Sequence, residues 1–168
     1  MNPERGTAMK IKFITTGGTI DKIYFDRKSE FQIGDPQVIE VLKDANVTFE
    51  YEVVTLLRKD SLDLTDDDRR LIYETIQSAP DRRIVVTHGT DTMIRTAGML
   101  RNISGKTIVL TGAMQPAKFR LTDAIFNIAC AITAVQTLPH GVYIAMNGQI
   151  FDPDKTRKNV AQNRFEIL

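Results

Sequence analysis

The chain has 168 residues, of which 42% are hydrophobic, and this combination suits one domain with a single core. Its 22 basic and 21 acidic side chains leave a net charge of +1, which disfavours a nucleic-acid-binding surface. No apolar run approaches the roughly 18 residues that a membrane helix requires. Residues 1–9 form a polar extension without the apolar core of a secretory signal. We therefore expect residues 10–168 to be one domain of a cytoplasmic protein.

The single cysteine, Cys130, has no second cysteine with which to form an internal disulfide. It lies in the apolar run AIFNIACAITAV, which predicts a buried, inert thiol rather than a nucleophile. One cysteine and two histidines also provide no cluster of metal ligands. We expect neither a metal ion nor another cofactor.

Predicted strands and helices alternate along the chain. The strand-like runs are apolar or β-branched and are short: 10–16, 49–57, 82–88, 106–112 and 141–147. The segments with helical patterns lie between and after them: 35–45, 64–79 with Thr65 as N-cap, 90–103 and 121–136. Residues 21–34 are polar and predict irregular structure, and the tail from Asp152 is polar without a clear strand.

This alternation predicts an α/β fold with three layers, a mostly parallel sheet with helices on both faces. Such sheets bind ligands beyond the carboxyl ends of their strands, near a point where the strand order reverses. The segments richest in polar and glycine residues all follow predicted strands: 15–20, 58–64, 88–92 and 111–116. We expect a functional site where these segments meet.

The first of these segments is TTGGTI, residues 15–20. Two adjacent glycines, Gly17 and Gly18, allow positive φ angles and a close backbone approach, and their amides could bind an oxyanion. Thr19 follows with a hydroxyl that can act as a nucleophile when a base assists it. A phosphate-binding loop is an alternative, but GxGxxG and the Walker lysine are absent from the sequence. An ordinary turn at the end of a strand also accounts for the segment.

The second segment, THGTDT at residues 87–92, connects a predicted strand to a predicted helix. Thr90 or Asp91 could serve only as a helix N-cap. One cap, however, does not require His88, Gly89 and both of these residues together. A carboxylate beside backbone amides suits the head group of an amino acid, with Asp91 binding the ammonium and the amides binding the carboxylate.

The two segments TTGGTI and HGTDT resemble the paired signatures of the bacterial-type L-asparaginases, which are α/β amidohydrolases. Members of this family release ammonia from asparagine, and some release it from glutamine. Three more segments resemble family segments in the same order: KDSLDLT (59–65), TGAMQP (111–116) and MNGQIFDPDKTRKN (146–159). The resemblance implies that residues 10–168 form a flavodoxin/Rossmann-like asparaginase N-terminal domain with catalytic function.

The resemblance also implies a role for each matching residue. Thr19 matches the primary nucleophile, Thr90 the second catalytic threonine, and Lys158 the lysine beside Thr90 and Asp91. Asp91 would bind the substrate amino group, and Ser61 would bind the substrate carboxylate. The full set of substrate-binding residues implied in this way is Gly18, Asp60, Ser61, Gly89, Thr90 and Asp91.

These roles have physical reasons. A threonine hydroxyl is a poor nucleophile without a neighbouring base. Lys158 would help by binding a deprotonated neighbour, or by being neutral when desolvated. The series Thr90, Lys158 and Asp91 would then form a relay with the logic of a serine triad. In the alternative interpretation, Lys158 is a solvated residue of the basic tail, as we expect for Lys155 and Arg157.

The family also uses a tyrosine on a flexible segment after the first loop. Tyr24 is the only tyrosine in residues 21–34, so it is the candidate that activates Thr19. The family tyrosine comes later, near the position of Phe31, and a tyrosine packed at the domain edge is the competing interpretation. The charges of residues 21–34 predict a mobile lid over the site.

Longer family members carry a second, smaller domain that completes the site of a neighbouring subunit. We expect this chain to be a natural short form that assembles as a homo-oligomer, a dimer or a tetramer. Residues 112–123 and the apolar helix over 121–136 are candidate interfaces.

The leading hypothesis is hydrolysis of L-asparagine to L-aspartate and ammonia, through an acyl-enzyme on Thr19 or through direct attack of water. Glutaminase or dual activity is the nearest competing hypothesis, since the substrates differ by one methylene. A non-catalytic amino-acid-binding module and an ammonia-supplying component of an amidotransferase are two further hypotheses. We expect the partner to be a small molecule, with no nucleic acid and no membrane involved.

Overall fold

A computed structural model describes residues 9–25 and 30–168. The strands of these residues are β1 (Lys10–Gly17), β2 (Lys22–Phe25), β3 (Glu30–Ile33), β4 (Glu50–Lys59), β5 (Arg83–Thr87), β6 (Thr107–Thr111), β7 (Gly141–Met146), β8 (Gln149–Phe151), β9 (Thr156–Asn159) and β10 (Arg164–Ile167). The α-helices are α1 (Val38–Asp44), α2 (Asp66–Ser78), α3 (Met93–Leu100) and α4 (Ala124–Thr137).

The central sheet has the strand order β4-β1-β5-β6-β7-β8. The first five strands are parallel, and β8 pairs antiparallel with β7. The chain first runs from β1 to β4 and then crosses to β5 on the other side of β1. The strand order therefore reverses between β1 and β5, where open α/β sheets of the flavodoxin type bind their ligands. The predicted fold class is confirmed.

Central strands contribute side chains to both faces of the sheet. In β5, Ile84 and Val86 join a buried cluster with residues of α2 and α3. Val85, between them, joins a second cluster with residues of α1 and α4. Because successive side chains of a strand point to opposite faces, a strand that is apolar throughout must be covered on both sides. The helices accordingly lie on both faces, as predicted.

The helix starts follow their capping residues. Thr65 caps α2, where its hydroxyl accepts from the Asp68 amide at 3.2 Å and Asp68 accepts from the Thr65 amide at 2.8 Å. Helix α3 begins at Met93, later than the predicted start at residue 90, because residues 88–92 form a non-helical loop. Among the described residues, none of the helices is long and apolar enough to cross a membrane.

The prediction of irregular structure for residues 21–34 is wrong in part. Strands β2 and β3 form an antiparallel pair in which Tyr24 lies opposite Phe31. Asp26, Arg27 and Lys28 of the predicted lid lie outside the described residues, as do residues 1–8 of the N-terminal extension. The strands were not predicted because each has only four residues and polar side chains interrupt its pattern.

The polar C-terminal tail contains strands that were not predicted. Strand β8 extends the central sheet, and β9 pairs with β10 as a separate two-stranded sheet. Phe165 of β10 is 2% exposed and packs against Phe151 of β8, with ring centroids 6.3 Å apart. One buried aromatic residue therefore docks a largely polar segment onto the core.

Cys130 is half-buried, so its predicted full burial is wrong. The face of α4 that packs into the core carries Ala124, Ile128, Ala131 and Val135. Cys130 lies at the edge of this stripe, against the core cluster but partly open to solvent. The apolar run obscured this, because the exposed face of α4 is apolar as well: Ile125 and Phe126 are exposed.

Replacement of Leu110 by alanine should destabilise the domain strongly. Leu110 is fully buried in the central strand β6, so its truncation leaves a cavity that costs about 2–5 kcal/mol of unfolding free energy. Urea denaturation measures this loss. The same change at Leu168, which is 75% exposed, is the matched control and should stay within about 0.5 kcal/mol of the wild type. Equal unfolding free energies for the two variants would contradict the described core.

Candidate functional site

Loops after four parallel strands lie at one edge of the sheet. They follow β1, β4, β5 and β6, on both sides of the point where the strand order reverses. Because the carboxyl ends of parallel strands share one edge, these loops become neighbours although they are far apart in sequence. The segments selected in the sequence are therefore brought together.

Gly18 brings the loop after β1 against the loop that follows β5. Its φ angle is +90°, which an L side chain rarely adopts, and its amide donates to the Lys59 carbonyl at 2.9 Å. A Cβ atom placed on Gly18 would lie 2.5 Å from the Cα atom of Gly89. Only glycine allows this approach. Since the Gly18 amide is already paired, it is not free to bind an oxyanion in this conformation.

Gly89 makes a second close approach, to Ser61. Ser61 begins a 3₁₀ turn, Ser61–Asp63, directly after β4. A Cβ atom on Gly89 would lie 2.6 Å from the Ser61 Cβ atom. Three loops are thus in van der Waals contact, and Thr19 and Thr90 each follow one of the two touching glycines. The Ser61 hydroxyl is buried and has no hydrogen-bond partner among the described residues.

His88 supports the second loop from below. Its Nδ1 atom lies 2.7 Å from the Gly89 carbonyl and its Nε2 atom 2.8 Å from the Thr96 hydroxyl. A carbonyl can only accept, so Nδ1 carries the proton and Nε2 accepts from Thr96. Burial lowers the pKa of His88 to about 4, so the ring is neutral at pH 7. Because both ring nitrogens are occupied by hydrogen bonds within the loop and α3, His88 acts as a structural support.

Arg69 connects the second loop to the loop of Ser61. Its side chain is 1% exposed and donates to the Leu64 carbonyl at 2.8 Å and to the Thr92 hydroxyl at 3.0 Å. The Thr92 hydroxyl in turn donates to the Ser61 carbonyl at 2.8 Å. One buried cation thus joins the end of the Ser61 turn at Leu64 to the second loop at Thr92.

Lys158 joins Thr90 and Asp91. Its Nζ atom donates to the Thr90 hydroxyl at 2.8 Å and to Asp91 Oδ1 at 2.6 Å. Thr90 is buried, the Lys158 side chain is 13% exposed, and the Asp91 side chain is 42% exposed. A cation therefore lies between a buried hydroxyl and a carboxylate that solvent or a ligand can reach. The predicted neighbours are in contact, although Lys158 lies on the separate β9–β10 sheet.

The two other cations of this segment point elsewhere. Arg157 pairs with Glu166 at 3.2 Å and Lys155 with Asp152 at 3.9 Å, and the side chains of both cations are exposed. This matches the prediction that they are solvated residues.

Asp60 lies at the start of the Ser61 turn and accepts from the Leu62 amide at 3.2 Å. Its other oxygen pairs with Lys22 of β2 at 2.8 Å. Burial opposes ionisation, but the hydrogen bonds from Lys22 and Leu62 outweigh it and lower the pKa of Asp60. Asp60 therefore ties the β2–β3 pair to the site as a carboxylate.

Tyr24 does not approach Thr19 in this conformation. The Tyr24 side chain is 54% exposed, and its ring packs against Phe31 with centroids 5.5 Å apart. No hydrogen bond joins the Tyr24 hydroxyl to Thr19 in the part of the chain that the structure describes. Thr19 is half-buried in a 3₁₀ turn, Thr19–Asp21.

Asp21 ends the turn that contains Thr19 and is 2% exposed. Its carboxylate accepts from the Gln37 amide at 2.8 Å, and its carbonyl accepts from the Gly34 amide at 2.8 Å. Burial raises the pKa of Asp21 to about 6, against the opposing effects of the Gln37 amide and the positive charge of Arg58. The ionised carboxylate is therefore costly inside the turn of Thr19.

Sequence reasoning did not select Arg69 or Asp21. A signal for Arg69 was available, because it precedes Ile72 and Ile76 on the buried face of α2 at helical spacing. An arginine at an apolar position of a helix indicates a buried, hydrogen-bonded cation. Asp21 had no such signal, because its burial depends on the contact between its turn and the residues before α1.

A family model and solved structures both relate this chain to asparaginases. The family model described as asparaginase, N-terminal, matches residues 10–166. Among solved structures, the thermostable L-asparaginase of Thermococcus kodakarensis superposes with a TM-score of 0.80 at 27% identity. The alignment covers 95% of this chain and 51% of that protein, so the chain spans about half its length.

Curated relatives carry a different name, that of a glutamyl-tRNA(Gln) amidotransferase subunit. The protein of this name from Methanococcus vannielii is 42% identical over 83 residues, which are 48% of this chain and 19% of that protein. The one from Saccharolobus islandicus strain M.14.25 is 27% identical over 150 residues, 81% of this chain and 32% of its own length. The chain thus spans a third or less of these relatives.

Replacement of Asp21 by asparagine should change how stability depends on pH. Because the folded pKa lies above the ordinary value, the wild type is stabilised below about pH 4 and loses that contribution as pH rises through about 6. Asparagine keeps the acceptor for Gln37 without the charge. The difference in unfolding free energy between the variant and the wild type should therefore grow by about 1 kcal/mol, in favour of the variant, from about pH 5 to about pH 8. Urea denaturation at both pH values measures this, with exposed Asp44→Asn as the control. A pH-independent difference would contradict it.

Replacement of Arg69 by methionine should loosen the junction around Ser61. The change leaves the Leu64 carbonyl and the Thr92 hydroxyl without their buried donor, which should cost about 2–3 kcal/mol of unfolding free energy. The adjacent Arg70→Met, at an exposed position, is the matched control and should change little. Similar denaturation midpoints for the two variants would show that Arg69 does not hold the loops.

Proposed function

This chain belongs to the asparaginase family, and we propose that it hydrolyses the side-chain amide of L-asparagine to L-aspartate and ammonia. The observation that carries the proposal is the position of Lys158, whose Nζ atom donates to both Thr90 and Asp91. A structural lysine would gain its pairing from Asp91 alone. The second hydrogen bond, to a buried threonine hydroxyl beside the first loop, is the feature that amide chemistry requires.

In the proposed reaction, the Thr19 hydroxyl oxygen attacks the amide carbon of the substrate. The hydroxyl proton passes to the leaving nitrogen and the C–N bond breaks. Ammonia departs, and the acyl group remains as an ester on Thr19. Water then attacks the ester carbon, gives up a proton to the threonine oxygen, and releases L-aspartate. In a variant of this scheme water attacks the amide directly, and Thr19 only binds the substrate. The half-buried position of Thr19, next to the contact of Gly18 with Gly89, supports either scheme.

We assign the activation of the attacking oxygen to the relay of Thr90, Lys158 and Asp91. Thr90 takes the proton of the attacking oxygen and passes its own proton to the leaving nitrogen. As an ammonium, Lys158 stabilises the charge that develops on the Thr90 oxygen, because it donates directly to that oxygen at 2.8 Å. Asp91 orients the ammonium through the bond of 2.6 Å. The arrangement parallels the way an aspartate orients a histidine in a serine triad.

We propose that Asp91 and Ser61 recognise the head group of the amino acid. Asp91 is the more exposed end of the relay, so its free carboxylate oxygen can receive the substrate ammonium. The buried Ser61 hydroxyl has no hydrogen-bond partner among the described residues, and a substrate carboxylate would supply one once this side chain turns toward it. Gly89 and Asp60 shape this side of the site, since one touches Ser61 and the other precedes it.

The activating role predicted for Tyr24 requires movement. The hydroxyl would have to come within about 3 Å of the Thr19 oxygen, and Tyr24 lies instead on an exposed strand against Phe31. We propose that the β2–β3 pair closes over bound substrate, with Lys22 and Asp60 as the contact about which it moves.

A second candidate function follows from the curated relatives, which are named as subunits of an amidotransferase. In this case the same site releases ammonia for use by a partner protein. Glutamine is a second possible substrate for both functions, because one methylene changes pocket affinity by only ~1–3 kcal/mol.

We also propose that the protein acts in the cytoplasm as a homo-oligomer that binds a small-molecule substrate. A single cysteine suits a reducing compartment. The exposed apolar side chains Leu121, Ile125 and Phe126 support an interface between copies, which gel filtration tests.

Replacement of Lys158 by methionine or Thr19 by alanine should abolish ammonia release. Methionine keeps the length of the side chain but removes its charge and donors, so we expect a loss of about a hundredfold or more in kcat. Ammonia released from asparagine and from glutamine by purified protein measures this. The control is Lys155→Met, an exposed lysine of the same segment that should retain activity.

The same assay can also contradict the proposed amidohydrolase activity. If the wild type releases no more ammonia from either amide than the Lys158 and Thr19 variants, the chain by itself is not an amidohydrolase. Equal loss in the Lys155 variant would indicate damage to the segment and not loss of the relay.

A further inference from the structure

Lys158 is held at the site by a strand that does not pair with any described strand of the central sheet. Strands β9 and β10 pair only with each other among the described strands. A two-stranded sheet alone is marginally stable in water. Yet the Lys158 Nζ atom must stay within hydrogen-bond distance of Thr90 and Asp91. Some contact with the core must therefore fix the position of this strand pair.

Phe165 makes that contact directly opposite Lys158. The two residues are partners in the antiparallel pairing of β9 with β10. The Phe165 ring is buried against Phe151, and its backbone amide donates to the Asn147 side-chain oxygen at 2.9 Å. The amide therefore points away from Lys158, so the two residues form a non-hydrogen-bonded pair, the closer type of cross-strand pair. The place of Phe165 thus sets the place of Lys158.

Asn147 is itself held in a fixed conformation. It forms the turn between β7 and β8 with Gly148, and both residues have positive φ angles, +52° and +76°. Such two-residue turns favour asparagine followed by glycine. The Asn147 amide donates to the Asn127 side-chain oxygen at 3.2 Å.

Asn127 completes the connection to the site loops. It is 1% exposed, and its side-chain nitrogen donates to the Gly112 carbonyl at 3.0 Å and to Asp123 at 2.9 Å. Both acceptors lack protons to donate, so the nitrogen must face them and the oxygen must face Asn147. Gly112 begins the loop after β6 and packs closely against the His88 carbonyl. A continuous series of hydrogen bonds and close contacts, buried at Asn127 and partly buried at the hydrogen bonds of Asn147, therefore links the second loop to the strand pair of Lys158.

We infer that Asn147, held by Asn127, is a positioning residue for Lys158. Its side-chain oxygen accepts a hydrogen bond from the backbone amide of Phe165, which points away from Lys158, and thereby fixes the distance between Lys158 and Thr90. The effect on turnover rests on the proposed amidohydrolase function, whereas the effect on the Lys158 side chain does not. Asn127 contributes by orienting Asn147, and neither asparagine touches the substrate.

Replacement of Asn147 by glycine isolates this contact. Glycine tolerates the positive φ angle and suits the turn, so the turn is kept while the side chain that accepts from the Phe165 amide is lost. Asn147→Asp is the conservative variant, because a carboxylate oxygen still accepts from the Phe165 amide. The matched control is Asn46→Gly, since Asn46 also has a positive φ angle of +48°, is exposed, and lies after α1.

The first readout is the reactivity of Lys158. Brief reductive methylation followed by mass spectrometry of the peptide that contains Lys158 measures how well its amine is protected. Loss of one anchoring hydrogen bond should speed labelling of Lys158 by roughly fivefold in the Asn147→Gly variant. Labelling should stay at the wild-type rate in Asn147→Asp and Asn46→Gly, and melting temperatures identify any general unfolding. An unchanged Lys158 labelling rate in Asn147→Gly overturns the inference.

The second readout is ammonia release. We expect kcat to fall roughly tenfold in Asn147→Gly while KM changes less than about twofold, because Lys158 acts on Thr90 and not on substrate binding. Asn147→Asp should restore kcat. Faster labelling in a protein whose wild type releases no ammonia would reject the proposed function and still support the positioning role. Wild-type kcat in Asn147→Gly, in an active enzyme, would reject that role.

Discussion

The site depends on the close approach of three backbone loops at two glycines. Gly18 touches Gly89 and Gly89 touches Ser61, with no room for a methyl group at either contact. Thr19 and Thr90 directly follow these glycines, so the same contacts that close the end of the sheet bring the two hydroxyl-bearing segments together. Because one glycine has a positive φ angle and both lack space for a side chain, the arrangement constrains residue type more strictly than apolar packing does.

These loops are held in place by hydrogen bonds from buried polar side chains. His88 is neutral and donates to the Gly89 carbonyl, and Arg69 donates to the Leu64 carbonyl and the Thr92 hydroxyl. The hydrogen bonds of such a buried group offset its burial only when its partners are in place, which makes the group specific for one loop conformation. The β2–β3 pair contrasts with this base. It is exposed at Tyr24 and tied to the site by the half-exposed ion pair of Lys22 with Asp60.

Lys158 reaches the site from the far end of the chain, on strands that do not belong to the central sheet. Its position relies on the ring of Phe165 in the core and on the amide network through Asn147 and Asn127. The loops after β5 and β6, the turn between β7 and β8, and the β9–β10 pair therefore form one connected unit. A relay whose members are 67 and 68 residues apart exists only once this unit has folded.

By itself the sequence determined the layered α/β fold, the cap at Thr65 and the grouping of the polar loops at one edge. These follow from local periodicity and from the rule that carboxyl ends of parallel strands are neighbours. The contact of Lys158 with Thr90 was predicted through a family resemblance, since no local pattern encodes it. Only the tertiary structure decided the strand pairs β2–β3 and β9–β10, the burial of Arg69 and the partial exposure of Cys130. Short polar strands have no dominant period, and the environment of a side chain depends on which distant segment packs against it.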